Sequence, residues 1–162
     1  MNTAKSFFSP IADSLYPYMV KNKDFKLVKK ILIILMPIVI IVVYLISLYS
    51  DVLMGWLLGK EFEEAGYILN ALLPIIIITP LNYILGFPVL SAMGKTKYAN
   101  YSVITGSIFH FLSLLVIIIS DNFTILVLCY LTVITESIIL IIRIIVIFKY
   151  RKLFKKKLDL IK

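Results

Sequence analysis

Residues 123–148 read FTILVLCYLTVITESIILIIRIIVIF. This run of about 26 residues is long enough to cross the roughly 30 Å hydrocarbon core of a bilayer as a tilted helix. Two charges interrupt it, Glu136 near the middle and Arg143 toward its end. Their spacing is about two helical turns, so both side chains lie on nearly the same face, roughly 10 Å apart along the axis. A charge at the bilayer centre costs about 2.5–3.5 kcal/mol even on insertion scales. A helix carrying Glu136 must turn it toward protein or enclosed water, and the rest of the chain has to supply that shelter.

The composition agrees with a membrane setting. Hydrophobic residues make up 61% of the 162-residue chain and charged residues only 16%, with a mean hydropathy of +1.01. Soluble domains carry about a quarter charged residues. The net charge of +8 does not point to nucleic acid, because the lysines gather beside apolar spans, as they do on the cytoplasmic side of membrane helices. Cys129 stands alone inside an apolar run, so neither a disulfide framework nor a metal pattern exists. No basic start followed by an apolar core and a small-residue cleavage site marks a signal peptide.

Working outward, the sequence predicts an all-α polytopic membrane protein with four transmembrane helices at about 31–49, 67–90, 101–120 and 123–148. Residues 1–30 are expected to be the end of a preceding helix and a basic connection, with Lys21, Lys23, Lys26, Lys29 and Lys30 against Asp24. The first span carries Pro37, which removes one helical hydrogen bond and bends the helix. Its far end has Tyr44 and Tyr49, suited to the interface. The connection 50–66 holds Asp51, Glu61, Glu63 and Glu64 around Trp56 and Gly59. Glycine permits a turn there, and the acids favour a helix start after it.

The second span contains Pro74, Pro80 and Pro88, with Asn82 and Gly86. Three prolines predict a broken or strongly kinked helix, tolerated at membrane depth only where freed backbone groups face protein or a water-filled cavity. A basic turn with Gly94, Lys95 and Lys97 follows. In the third span Ser102, Gly106, His110 and Ser113 share one face, and the small residues admit a close helix neighbour. For His110 the sequence leaves open an interhelical hydrogen bond and a proton-carrying or substrate-contacting role. After Asp121 and Asn122 comes the fourth span, then a basic tail at 149–162. Basic and acidic connections alternate at every crossing, which predicts both termini in the cytoplasm. Arg143 then lies nearer the cytoplasm than Glu136, and both snorkelling to the headgroups and inward pairing are open to it.

No paired acids, nucleophile with base, phosphate-cradling loop or His/Cys ligand set is visible, so no enzyme, cofactor or metal is expected. Two classes remain. In a transporter piece, Glu136, Arg143, His110 and Asn82 line a polar path; in a membrane assembly subunit they only hold helices together. A proline-broken span beside an intramembrane acid favours transport.

The segment LLGKEFEEAGYILNALLPIIIITPLNYILGFPVLSAMGKTKYAN, with Gly59, Phe62, Glu64 and Ala65 at the outer turn and Leu90, Ala92, Gly94, Lys95 and Lys97 at the inner one, resembles the C-terminal half of the polysaccharide flippases of the multidrug/oligosaccharidyl-lipid/polysaccharide exporter superfamily. LTVITESIILIIR, with Thr135 and Glu136, resembles the last span of that family, and SPIADSLYPYMVKNKDFKLVKK resembles the end of an earlier helix and its cytoplasmic connection. The resemblance implies part of the C-terminal lobe of a two-lobe alternating-access transporter in the bacterial inner membrane. The implied substrate is an undecaprenyl-diphosphate-linked oligosaccharide, such as an O-antigen repeat unit for lipopolysaccharide. The implied partners are the N-terminal lobe or other membrane subunits of polysaccharide export. The chain would supply about the last four spans, as a fragment, a truncated reading frame or a split subunit inactive alone. A drug/cation antiporter of the same superfamily and a non-transporting assembly subunit are the alternatives.

Overall fold

The computed structural model describes residues 2–22 and 25–159, and within them the chain is 93% helical with no strand. The helices are α1 (Asn2–Asn22), α2 (Phe25–Leu48), α3 (Ser50–Leu58), α4 (Gly66–Ile84), α5 (Thr96–Ile119) and α6 (Ile125–Asp159). A 3₁₀ turn, Lys60–Ala65, leads into α4, and a wide π-helical segment, Leu85–Leu90, continues it. Four helical stretches are long and apolar enough to cross a membrane: Phe25–Leu48, Lys60–Leu90, Thr96–Ile119 and Ile125–Tyr150. This is the pattern of a multi-pass membrane protein.

The central element is α4. Its stretch is the most buried of the four spans, and α1, α2, α3 and α6 all pack against it. Its inward positions are Ala71, Leu73, Ile75, Thr79, Asn82 and Ile84. By contrast α2 and α5 present Ile33, Ile34, Ile41, Phe111 and Val116 outward, each more than half exposed. In water such a surface would associate; in a bilayer it is the lipid face, since acyl chains are as apolar as leucine. One apolar cluster, Leu15, Met19, Val28, Ile84, Val89, Ala92 and Met93, joins α1 and α2 to the π segment.

Several boundaries differ from the sequence reading in informative ways. The basic connection before the first span is part of it, because α2 already begins at Phe25 and carries Lys26, Lys29 and Lys30 in its first turns. Residues 2–22 form a whole helix that packs on α4 and the π segment, although Pro10 and Pro17 lie within it. The acidic connection contains the short helix α3, closed at Gly59 with φ of 106°, a left-handed value suited to glycine. The last span does not stop at the basic tail: α6 runs through Tyr150 to Asp159. Lys23 and Asp24 of the predicted basic connection, Met1, and residues 160–162 of the tail lie outside the described residues.

The break expected in the second span is real but confined to one place. α4 continues through Pro74 and Pro80, and α2 through Pro37. The helical path fails only at Gly86, whose ψ of −107° is non-helical, two residues before Pro88. A proline lacks an N–H and crowds the preceding turn, so a residue without a Cβ in that turn is where the chain yields most easily. Pro74 and Pro80 have no such neighbour and are absorbed without interruption.

Candidate functional site

A cavity of about 470 Å³ opens beside the break, bounded by α1, α4, the π segment, α5 and α6. Asp13 and Tyr16 reach it from α1, Thr79, Asn82 and Tyr83 from α4, Phe87 and Pro88 from the π segment, Val103 from α5, and Glu136, Ile139 and Arg143 from α6. Its wall is mixed: apolar rings and aliphatic chains interleaved with two carboxylates, an amide, a guanidinium and hydroxyls. Tyr16 and Phe87 meet edge to face at 6.4 Å between centroids, tying α1 to the π segment.

Asn82 organises the polar side. Its Nδ2 donates to Glu136 Oε2 at 2.9 Å and to the Glu136 carbonyl at 3.1 Å. Its own backbone carbonyl accepts from Arg143 Nη1 and from the Leu85 N–H. Asn82 therefore touches both Glu136 and Arg143 of α6, the first through its side chain and the second through its main chain. The other amide atom, Asn82 Oδ1, is buried and has no hydrogen-bond partner among the described residues.

Arg143 is 9% exposed and does not snorkel. Besides the Asn82 carbonyl it binds Ser102: Arg143 Nε donates to Ser102 Oγ at 2.9 Å, while that hydroxyl donates to the Ala99 carbonyl at 2.7 Å. The guanidinium is packed across Gly86, where an added Cβ would sit 2.8 Å from Nη1. Thus α6 inserts a cation at the point where α4 loses its helical path, and the guanidinium shares with the Leu85 N–H a carbonyl one turn before the break.

The sequence-predicted polar residues divide into two groups. Glu136, Asn82 and Arg143 meet around the cavity, with Pro88 in its wall. His110 does not line it. Its Nδ1 lies 2.9 Å from Thr135 Oγ1. Thr135 gives its single hydroxyl proton to the Leu131 carbonyl at 2.8 Å, so Nδ1 is the donor to Thr135. This is an interhelical bond between α5 and α6. Beside it, Gly106 lets α6 approach α5, since a Cβ there would fall 2.6 Å from Ile139 Cγ1. Pro74 and Pro37 lie away from the cavity; Pro37 lines a separate apolar groove.

Four residues contribute in ways that sequence reasoning missed. Ser102 carries a hydrogen-bonding role as well as the small size inferred for it. Gly86 is required by a side chain from another helix, which no local pattern encodes. Asp13 and Tyr16 are three positions apart and so share a face of α1; that spacing was the available signal. The start of α4 is tied to α3 by other polar contacts, Asn70 Nδ2 to Ser50 Oγ at 2.9 Å and Asp51 seated against Gly66.

No protein-family model, curated protein or solved structure matches the chain.

Proposed function

We propose that the chain is part of a transporter that flips a lipid-linked oligosaccharide repeat unit across the bacterial inner membrane by alternating access. The observation that carries this reading is the polar cavity beside the Gly86–Pro88 break, with Asn82, Glu136 and Arg143 in its wall. Interrupted helices and intramembrane ionisable groups recur along substrate and ion routes. The resemblance of the second and fourth spans to polysaccharide flippases supplies the substrate class. In this reading both termini face the cytoplasm, the sugar passes along the polar wall, and the lipid tail stays in the bilayer. The chain forms part of one lobe, and the opposing lobe is its partner. Arg143 positions the broken helix, and Glu136 provides a polar wall or coupling group.

The test places Glu136→Gln and Arg143→Gln at the native locus and measures surface polysaccharide against lipid-linked repeat unit retained on the inner leaflet. The expected outcome for Glu136→Gln is at least a tenfold loss of export at unchanged protein level. Unchanged export removes Glu136 from the mechanism. Enclosure of Arg143 between Ser102 and Asn82 favours a second reading, a non-transporting assembly subunit. For that subunit both variants lower protein level, and no transport defect remains once the level is restored.

A further inference from the structure

A second concavity lies on the opposite side of the π segment. It is an apolar groove of about 970 Å³ between α2, the π segment and α6, near the top of the roughly 300–1,000 Å³ range of small-molecule sites. Val89 and Met93 form its floor, and Met36, Ile40 and Ile144 line its sides. At one end the lining changes character to Lys26 and Lys29, on the first turns of α2.

Two features identify an occupant. The first is length. From Lys26 to Ile40 the groove follows α2 for about 21 Å at 1.5 Å per residue. Half of a bilayer, headgroups included, is about 20–22 Å thick, whereas a transmembrane helix needs the whole core of about 30 Å. The groove thus matches one leaflet and is too short to seat a spanning helix along its length. The second is polarity along that length: lysines sit at the headgroup end only, and the remainder is apolar. Basic pockets between membrane helices recognise phosphate headgroups in this way.

We propose that this groove holds one anionic phospholipid, its phosphate at Lys26 and Lys29 and an acyl chain along Met36, Ile40 and Val89. Because Val89 belongs to the segment that carries the helix break, the lipid packs against the back of the element whose front faces the first cavity. The site is independent of whether the chain transports anything.

The experiment purifies the full chain and measures lipid retention by native mass spectrometry, after exchange into equimolar phosphatidylglycerol and phosphatidylcholine of identical acyl chains. One phosphatidylglycerol is expected to stay bound, with at least a fivefold preference over phosphatidylcholine. Lys26→Gln/Lys29→Gln should abolish the preference while leaving helicity by circular dichroism unchanged. Met36→Trp, which fills the groove, should reduce retention of both lipids. Equal retention of the two lipids overturns the proposal, as does a preference that survives the double lysine variant. Preferential displacement by a polyprenyl phosphate, or a dimer in which Met36 is buried by a second copy, also overturns it.

Discussion

Gly86 and Arg143 are complementary across the α4–α6 contact: the guanidinium occupies the space in which residue 86 would carry a Cβ, 2.8 Å from Nη1. Arg143 cannot simply swing aside, because Ser102 and the Asn82 carbonyl hold its Nε and Nη1. Gly86→Ala should therefore destabilise the fold by about 1–3 kcal/mol, the usual cost of overpacking. The check is a double-mutant cycle by unfolding in detergent. In an Arg143→Ala background the added methyl should cost much less, giving a coupling energy above about 0.5 kcal/mol.

Ser102→Ala removes one of the two bonds that fix Arg143. Interhelical hydrogen bonds in membranes average about 0.6 kcal/mol, with a maximum near 1.7. A loss of that order is expected, measured by the same unfolding assay. Arg143→Lys should lose more, because a lysine ammonium cannot reproduce the two directed N–H bonds that the planar guanidinium makes to Ser102 and Asn82.

Asn82→Asp is predicted to be the most damaging conservative change at the cavity. It replaces the amide donor with a second carboxylate where Nδ2 now sits 2.9 Å from Glu136 Oε2. Two carboxylates at that distance repel each other, whereas the amide now bonds across the helix contact. Asn82→Asp should therefore lower stability more than Asn82→Leu, which removes the donor without adding a charge. Thermal unfolding of the two variants at neutral pH tests this; an Asn82→Leu protein no more stable than Asn82→Asp contradicts it.

At the α5–α6 contact, Gly106→Ala should be destabilising and Ile139→Val should partly relieve it, since Ile139 Cδ1 would lie 2.8 Å from the new methyl. His110→Phe should cost about one interhelical bond, roughly 0.6–1.7 kcal/mol, and leave export at the native locus intact. Loss of export at normal protein level would instead give His110 a part in transport that its position outside the cavity does not supply.

How much of this was legible from residues alone follows a physical line. Long aliphatic runs announce spans because backbone groups in lipid must be bonded within the segment, so the spans at 31–49, 101–120 and 123–148 were visible with shifted ends. A lone Glu136 among isoleucines forced an inward face, and Asn82 meets it there. The direction of Arg143 was not legible. Snorkelling and inward pairing have similar local signatures, and the choice rests on Ser102 and Gly86 from two other helices. The three prolines of the second span look alike in sequence, yet only Pro88 accompanies a break, because Gly86 and the Arg143 donor make that break affordable. Asp13 and Tyr16 fell in a stretch too interrupted to read as a span, so their helix was underrated.

A protein-lined cavity with Asn82, Glu136 and Arg143 in its wall lies beside the broken helix, and in a bilayer it is expected to be reached by water. Site-directed spin labelling tests it most directly, using Tyr83→Cys in the cavity wall and Ile134→Cys and Ile141→Cys on the outward face of α6, in a Cys129→Ser background in bilayers. The account predicts that the label at 83 collides with a water-soluble nickel complex more than with oxygen, and that those at 134 and 141 show the reverse. Oxygen-dominated collisions at 83, equal to those at 134 and 141, would contradict it.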